Sequence, residues 1–123
     1  MKKNNLDSSD ILANVIIGGM LNNKSENIVS LDLKKIESAV CDYFIICHRN
    51  SNTHITAIAN NIIKETSKEL NDKPLSKEGI NNGTWILLDY GNVVAHIFQK
   101  EIRDYYNLEE LWGDAQIKKY RLR

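Results

Sequence analysis

Hydrophobic residues near the start of the chain recur at the spacing of a helix. They are Ile11, Leu12, Val15, Ile16 and Leu21. Residues three and four apart lie on one side of a helix, so this pattern predicts an amphipathic first helix. Ser8 or Ser9 can cap its start, and the pair Asn22-Asn23 is a plausible end.

Two strands are predicted next. Residues 28–33 are rich in β-branched side chains and partly alternate between apolar and polar, whereas residues 43–47 form a nearly continuous apolar run. Continuous apolar runs are typical of strands that are buried on both faces. Residues 34–42 then form the loop between the two strands.

A second helix should follow from a cluster of capping residues at 50–53. The apolar residues behind this cluster fall on one helical face as far as about Leu70. The polar connection at 71–77 contains the single proline, Pro74, and can hold a short edge strand before a turn at 81–83.

The clearest local signal is a hairpin. Residues 85–89 and 93–98 are β-rich, and the turn between them contains Gly91. This arrangement is a hairpin signature. Residues 100–106 predict a short helix, and residues 108–112 a further helical turn.

This order of elements predicts an α/β domain with a mixed sheet of about five strands flanked by helices. The length of 123 residues fits a single domain, with its core at about 8–115 and a basic tail at 116–123. A two-domain enzyme is excluded.

Charge narrows the choice of partners. The chain has 16 Lys plus Arg and 16 Asp plus Glu, so no overall positive field attracts it to DNA, RNA or a membrane. A partner must therefore be held by local surface chemistry.

The two cysteines and the start of the chain predict a cytoplasmic protein. Cys41 and Cys47 flank an apolar run without a preceding signal segment, which favours buried thiols in a reducing compartment. Residues 11–21 fall short of the ~20 needed to span a membrane.

Catalytic and metal chemistry are weakly supported. Cys41, Cys47, His48 and His54 are close in sequence, but their spacing is not that of a zinc site, and adjacent strand residues point to opposite faces. Cys47 with His96 is the one nucleophile and base that two strands could bring together. No metal, cofactor or catalytic residue is expected.

Nucleotide chemistry is no better supported. Gly18-Gly19 lies within a helix rather than after a strand, and the chain contains no phosphate-binding loop motif. A nucleotidyltransferase would need paired carboxylates to hold a metal ion, and neither Asp32 nor Asp42 has such a companion.

Binding is the remaining class of function. Alternation along the hairpin puts Trp85, Leu87 and Asp89 on one face and Ile86, Leu88 and Tyr90 on the other. Two readings stay open: helices cover both faces, or Trp85 is partly exposed as an aromatic anchor, the residue type that dominates binding sites. The same choice applies to three C-terminal aromatic residues, Tyr105, Tyr106 and Trp112.

Several segments together resemble the ribosomal silencing factor family, also called Iojap or RsfS. The similarity runs in order from Leu12 to Ala115, which makes it highly specific. The segments are Asp42–Cys47, Asn50–Thr53, Ala57–Ala59, Trp85–Gly91, Val94 with His96–Phe98, and Tyr105–Ala115.

The resemblance implies a nucleotidyltransferase-like fold without the catalytic acids, and a translational repressor. Family members bind the large ribosomal subunit through its protein L-fourteen and block joining of the small subunit, especially when nutrients are scarce. Carried over to this chain, the contact surface comprises Trp85, Leu87, Asp89, Tyr90 and Gly91, with additional contacts possible at Tyr105, Tyr106 and Trp112. Free members are often homodimers.

Two positions depart from the family pattern. Asn92 stands where Asp is frequent, and Arg49 replaces a commonly small residue. Each departure is expected to weaken one polar contact at most. The alternatives are a large-subunit assembly factor, which would use the same surface, and a nucleotidyltransferase-like enzyme.

Although the formal net charge is zero, charged residues are unevenly distributed along the chain. Residues 89–114 contain six acidic and two basic side chains, whereas residues 115–123 contain four basic ones: Lys118, Lys119, Arg121 and Arg123. An acidic stretch beside an aromatic anchor suits a basic ribosomal protein better than RNA. The basic tail is expected to make at most a peripheral contact with ribosomal RNA.

Overall fold

The computed structural model describes residues 7–121. Its elements include a pair of long helices, α1 (Ser8–Asn22) and α2 (Asn52–Leu70), and a pair of short ones, α3 (Lys100–Tyr106) and α4 (Leu108–Leu111). The strands are β1 (Glu26–Asp32), β2 (Tyr43–Arg49), β3 (Ser76–Glu78), β4 (Trp85–Asp89), β5 (Val93–Gln99) and β6 (Gln116–Tyr120).

The strands form one mixed sheet in the order β3-β4-β5-β2-β1-β6. Strands β2 and β5 are parallel, and every other neighbouring pair is antiparallel. The parallel pair requires a long connection, which includes α2. The α/β class, the mixed sheet and the hairpin predicted from the sequence are confirmed.

Helices α1 and α2 cover one face of the sheet. Their apolar sides pack together over the central strands, where Ile16, Ile58 and Ile62 are fully buried. Ser51 caps α2 as predicted, accepting a hydrogen bond from the His54 amide at 3.2 Å. The cap of α1 is Asp7 rather than Ser8 or Ser9, because its carboxylate accepts from the Asp10 amide at 3.0 Å.

The opposite face is covered only in part. A second apolar cluster lies there, formed around Leu31, Ile46 and Phe98 and covered by α3, α4 and the loop that follows β1. Of the two readings that the sequence left open, full cover by helices and a partly exposed Trp85, the structure agrees with the second, because Trp85 is half-buried.

The segment predicted as a basic tail is ordered into a strand. Residues Gln116–Tyr120 pair antiparallel with β1, which makes six strands rather than about five. Arg121 is the last residue described, and Arg123 lies outside the described residues. Within residues 7–121, no helix is both long enough and apolar enough to cross a membrane.

Candidate functional site

The candidate site lies on the side of the sheet opposite α1 and α2. The part of that side around Trp85, Leu87, Asp89 and Phe44 is here called the Trp85 face. The pairing register places Trp85 beside Phe98, Leu87 beside His96, and Asp89 beside Val94. Phe44 on β2 lies next to Val94 and points to the same face. Trp85, Leu87, Asp89 and Phe44 are each half-buried, so the edge of this face is open to a partner.

The indole of Trp85 is held between aromatic rings. Its ring centroid lies 4.8 Å from that of Phe98, in a stacked arrangement, and 4.8 Å from that of Tyr106 on α3. Such contacts restrict the motion of the indole before any partner arrives. A rigid aromatic side chain loses little conformational entropy on binding.

His96 fixes the orientation of the same indole. Trp85 Nε1 donates a hydrogen bond to His96 Nδ1 at 3.1 Å. His96 is only 3% exposed, and burial lowers its pKa to about 3. The imidazole ring is therefore neutral near pH 7, and its Nδ1 can accept the hydrogen bond from the indole N–H.

Exposed aromatic and aliphatic side chains lie on the two short helices α3 and α4, next to the Trp85 face. Tyr105 is 80% exposed, Tyr106 50% and Leu111 72%. Trp112 is half-buried and meets Phe44 edge to face at 6.0 Å. Of the three additional contacts suggested by the sequence, Tyr106 is therefore brought directly against Trp85, and Trp112 is connected to the site through Phe44.

Asp89 and Gly91 form the end of the site at the hairpin turn. The Asp89 carboxylate accepts a hydrogen bond from the Gly91 amide at 2.8 Å. Gly91 has a φ of +90°, a conformation that side chains with a Cβ rarely adopt. No cation lies within salt-bridge distance of Asp89 in residues 7–121, so its charge is available to a basic partner.

Tyr90 does not lie on the Trp85 face. It is 7% exposed, belongs to the core beneath the long helices, and its hydroxyl is 2.9 Å from that of Thr66 on α2. The alternation along β4 places Tyr90 with Ile86 and Leu88, as the sequence predicts. The structure thus separates Tyr90 from the other residues that the family resemblance suggested as contacts.

A buried ionic cluster anchors α3 next to the site. Arg103 is 6% exposed and donates to the Asn27 carbonyl at 2.6 Å, to His48 Nδ1 at 2.9 Å and to Glu109 at 2.6 Å. Because α3 also carries Tyr106, this cluster determines where Tyr106 meets Trp85. No local sequence pattern predicts this cluster, since its members are spread over four segments.

Cys47 and His96, the nucleophile and base considered in the sequence analysis, are not brought together. Strand pairing aligns Cys47 with Ile97 and Ile46 with His96, which puts Cys47 and His96 on opposite faces of the sheet. Burial raises the pKa of Cys47 to about 12 and that of Cys41 to about 11. Both thiols are therefore protonated and unreactive at neutral pH.

The metal-binding alternative has no geometric support in the described part of the chain. No group of three or more His, Cys, Asp or Glu side chains there could hold a metal ion. Asp42 instead accepts a hydrogen bond from Ser9, and Asp32 accepts one from the Lys34 amide. These carboxylates stabilise the loop and the start of α1.

The two departures from the family pattern make contacts within the chain. Asn92 donates to Ser9 at 3.1 Å, on the side of the sheet covered by α1. Arg49 pairs with Glu26 at 3.0 Å and also donates to the Lys24 carbonyl. Neither side chain belongs to the Trp85 face.

These features define a class of protein: a small mixed α/β domain with a partly exposed cluster of aromatic side chains on one face of its sheet. The comparisons with known proteins agree. Residues 6–123 match the family model described as "Ribosomal silencing factor during starvation". The chain belongs to this ribosomal silencing factor family.

Individual relatives support the same assignment. The chain is 46% identical over 94 residues to ribosomal silencing factor RsfS of Bacillus subtilis, covering 76% of this chain and 78% of that protein. It is 32% identical over 78 residues to "Mitochondrial assembly of ribosomal large subunit protein 1" of Mus musculus, covering 62% of this chain and 34% of that protein. A crystal structure of a Chromobacterium violaceum protein superposes with a TM-score of 0.80 at 31% identity, covering 87% and 88% of the two chains.

Proposed function

We propose that this protein is a cytoplasmic translational repressor. In this proposal it binds the large ribosomal subunit through protein L-fourteen and thereby prevents the small subunit from joining. The observation that carries the proposal is Trp85, which is held by His96, Phe98 and Tyr106 and yet is only half-buried. Tryptophan residues in such positions often contribute several kcal/mol to binding.

Charge supports a protein rather than RNA at this face. Asp89 lies next to the aromatic residues and has no cationic partner among residues 7–121. A carboxylate repels phosphate but complements the basic surface common in ribosomal proteins. The action is steric: a bound factor occupies surface that the small subunit needs, so no catalytic residue is required.

Co-sedimentation with purified large subunits tests this proposal. Trp85→Ala should weaken binding by about 30-fold or more, which corresponds to a loss of at least ~2 kcal/mol. The matched control is Asn60→Ala, since Asn60 is exposed on α2, on the opposite face. Pull-down of isolated L-fourteen with the same three proteins should give the same ranking.

Two results would contradict the proposal. If Trp85→Ala binds large subunits as tightly as the unaltered protein, the Trp85 face is not the contact surface. If the unaltered protein binds large subunits but not L-fourteen, the partner is wrong. Circular dichroism of each variant checks that the fold survives the substitution.

A large-subunit assembly factor is the second candidate. The name of the mouse relative, with its reference to assembly of the ribosomal large subunit, favours it. Both functions use the same surface and differ in timing. Fractionation of growing cells decides between them: a repressor associates with mature large subunits, whereas an assembly factor is enriched on immature precursor particles.

A further inference from the structure

Two basic side chains at the end of β6 lie near the face that carries Trp85: Lys119 within the strand and Arg121 directly after it. Lys119 pairs with Val29, whose side chain belongs to the apolar cluster on that face. Arg121 directly follows the last residue of β6 and lines the same cleft as Lys119. Both side chains are exposed and line one cleft together with Lys100 and Arg103.

Lys118 provides an internal comparison because it points to the other face. It pairs with Ser30, and its ammonium group lies 5.5 Å from the ring centroid of Tyr120. Lys118 and Tyr120 both line a cleft beside α1. Neighbouring lysines on one strand are thus directed to opposite sides of the sheet.

The acidic groups around the cleft are already paired. Glu109 binds Arg103 at 2.6 Å, Asp104 binds Lys100 at 2.9 Å, and Glu26 binds Arg49 at 3.0 Å. In residues 7–121, no carboxylate lies within 4.0 Å of Lys119 or Arg121. Among the described residues that line this cleft, the cations without a carboxylate partner are therefore Lys119 and Arg121.

The basic pair lies at the same end of the sheet as Trp85. Trp85 is opposite Phe98 near the end of β5, and the β5 end is also the end of β2, the start of β1 and the end of β6. Four strand spacings separate β4 from β6, or about 19 Å at 4.7–4.9 Å each. A partner that covers the Trp85 face therefore leaves the basic pair beside the border of that contact.

We propose that Lys119 and Arg121 bind the phosphate backbone of ribosomal RNA next to the protein surface that the Trp85 face occupies. This inference rests on the proposed function, which brings the face to a large subunit. Two unpaired cations complement phosphate, and their contacts would be sensitive to salt. The Trp85 contact is apolar except for the Asp89 carboxylate, so it should vary less with salt.

Salt dependence of large-subunit binding tests the inference. The double variant Lys119→Gln with Arg121→Gln should bind more weakly, and the slope of log affinity against log salt should become shallower by about 1.4 to 1.8 for two lost phosphate contacts. Between 50 and 200 mM salt, the unaltered protein should then lose about 10-fold more affinity than the double variant. The matched control, Lys118→Gln, should retain the original slope; an unchanged slope in the double variant would overturn the inference.

Cross-linking identifies the chemical class of the partner. A photoreactive group is attached to Lys119→Cys, with Lys118→Cys as the control; Cys41 and Cys47 are buried and unreactive at pH 7. On large subunits, the Lys119→Cys product should be degraded by ribonuclease. A product formed only with ribosomal protein would instead show that an acidic protein surface is bound.

The inference and the proposed function can fail separately. If the unaltered protein does not bind large subunits, the proposed function fails and the inference fails with it. If it binds through Trp85, but the double variant keeps its slope and Lys119→Cys yields no RNA product, only the inference fails.

Discussion

The buried histidine behind Trp85 leads to a prediction about pH. His96 is 3% exposed, and burial alone lowers its pKa to about 3, whereas an exposed histidine in the unfolded chain has a pKa near 6.5. Below pH 6.5 the unfolded chain therefore binds more protons than the folded protein. It follows that the free energy of unfolding decreases as the pH falls from about 6.5 toward 3.

The magnitude follows from the two pKa values. Each pH unit between them corresponds to about 1.4 kcal/mol, so acidification from pH 7.5 to 4.5 should lower the contribution of His96 to the free energy of unfolding by about 3 kcal/mol. Within residues 7–121, burial is the one cause of this lowered pKa and no charged group offsets it; the ring lies among those of Phe44, Trp85 and Phe98.

Two other groups, His48 and Asp10, also contribute to the pH dependence of the free energy of unfolding, but they do not mask the contribution of His96. Burial, and then the charge of Arg103, lowers the pKa of His48, so His48 adds to the loss in the same direction. A hydrogen bond from the Tyr43 hydroxyl is the largest cause that lowers the pKa of Asp10, to about 2. The stabilisation from Asp10 is complete above about pH 4 and is lost as the pH falls through about 2, below the range of interest.

The assay compares the unaltered protein with His96→Phe. Urea unfolding is followed at several values between pH 7.5 and 4.5. Phenylalanine keeps a flat ring but removes the titrating group and also the His96 Nε2, which has no hydrogen-bond partner among the described residues. The variant also removes the acceptor of the Trp85 indole. This loss and the removal of the unpartnered Nε2 oppose each other, so the variant should be within about 1 kcal/mol of the unaltered protein at pH 7.5 and should lose about 3 kcal/mol less by pH 4.5.

Equal pH dependence in the two proteins would refute this reasoning. It would mean that His96 becomes protonated at no cost in the folded protein and is therefore hydrated. The ring would then be an unsuitable fixed acceptor for the Trp85 indole.

Four further substitutions test the scaffold. Arg103→Met should lower the free energy of unfolding in urea by about 3 kcal/mol, because it leaves Glu109 without its buried partner. Lys100→Met removes an exposed ion pair and should lower it by less than about 1 kcal/mol. Equal losses in the two variants would contradict the assigned burial of Arg103. Tyr90→Phe should lower it by about 1 kcal/mol and leave large-subunit binding unchanged in co-sedimentation, whereas weaker binding would return Tyr90 to the contact surface. Gly91→Ala should reduce thermal stability by about 1 kcal/mol or more because of its positive φ, and an unchanged melting temperature would show that the turn relaxes.

Local patterns predicted most of the fold. The helical spacing of apolar residues indicated α1 and α2, and the two β-rich runs around Gly91 indicated the β4–β5 hairpin. These elements carry their own signal because each buries a regular stripe or face. The parallel pairing of β2 with β5 then follows from the helix between them.

Strand β6 lacks such a signal. Its sequence is polar and basic, and most of its side chains are exposed. It is a strand because β1 offers it backbone hydrogen bonds at the sheet edge, a tertiary effect that a local pattern does not contain.

The candidate site was predicted in part. Alternation along β4 correctly grouped Trp85 with Leu87 and Asp89 and separated Tyr90 from them. The support for Trp85 was not predicted, since His96 and Tyr106 reach it from other elements. Once the register of β5 against β4 is known, it places His96 beside Leu87 and thereby identifies His96 as a neighbour of Trp85.

A subunit-joining assay tests the central claim most directly. Purified small and large subunits are mixed with the protein, and the yield of joined ribosomes is measured by sucrose-gradient sedimentation. The unaltered protein should lower that yield in proportion to the fraction of large subunits it occupies, and Trp85→Ala at the same concentration should leave the yield unchanged. Blocking by Trp85→Ala as strong as that of the unaltered protein, or full joining on large subunits that carry the unaltered protein, would contradict the account.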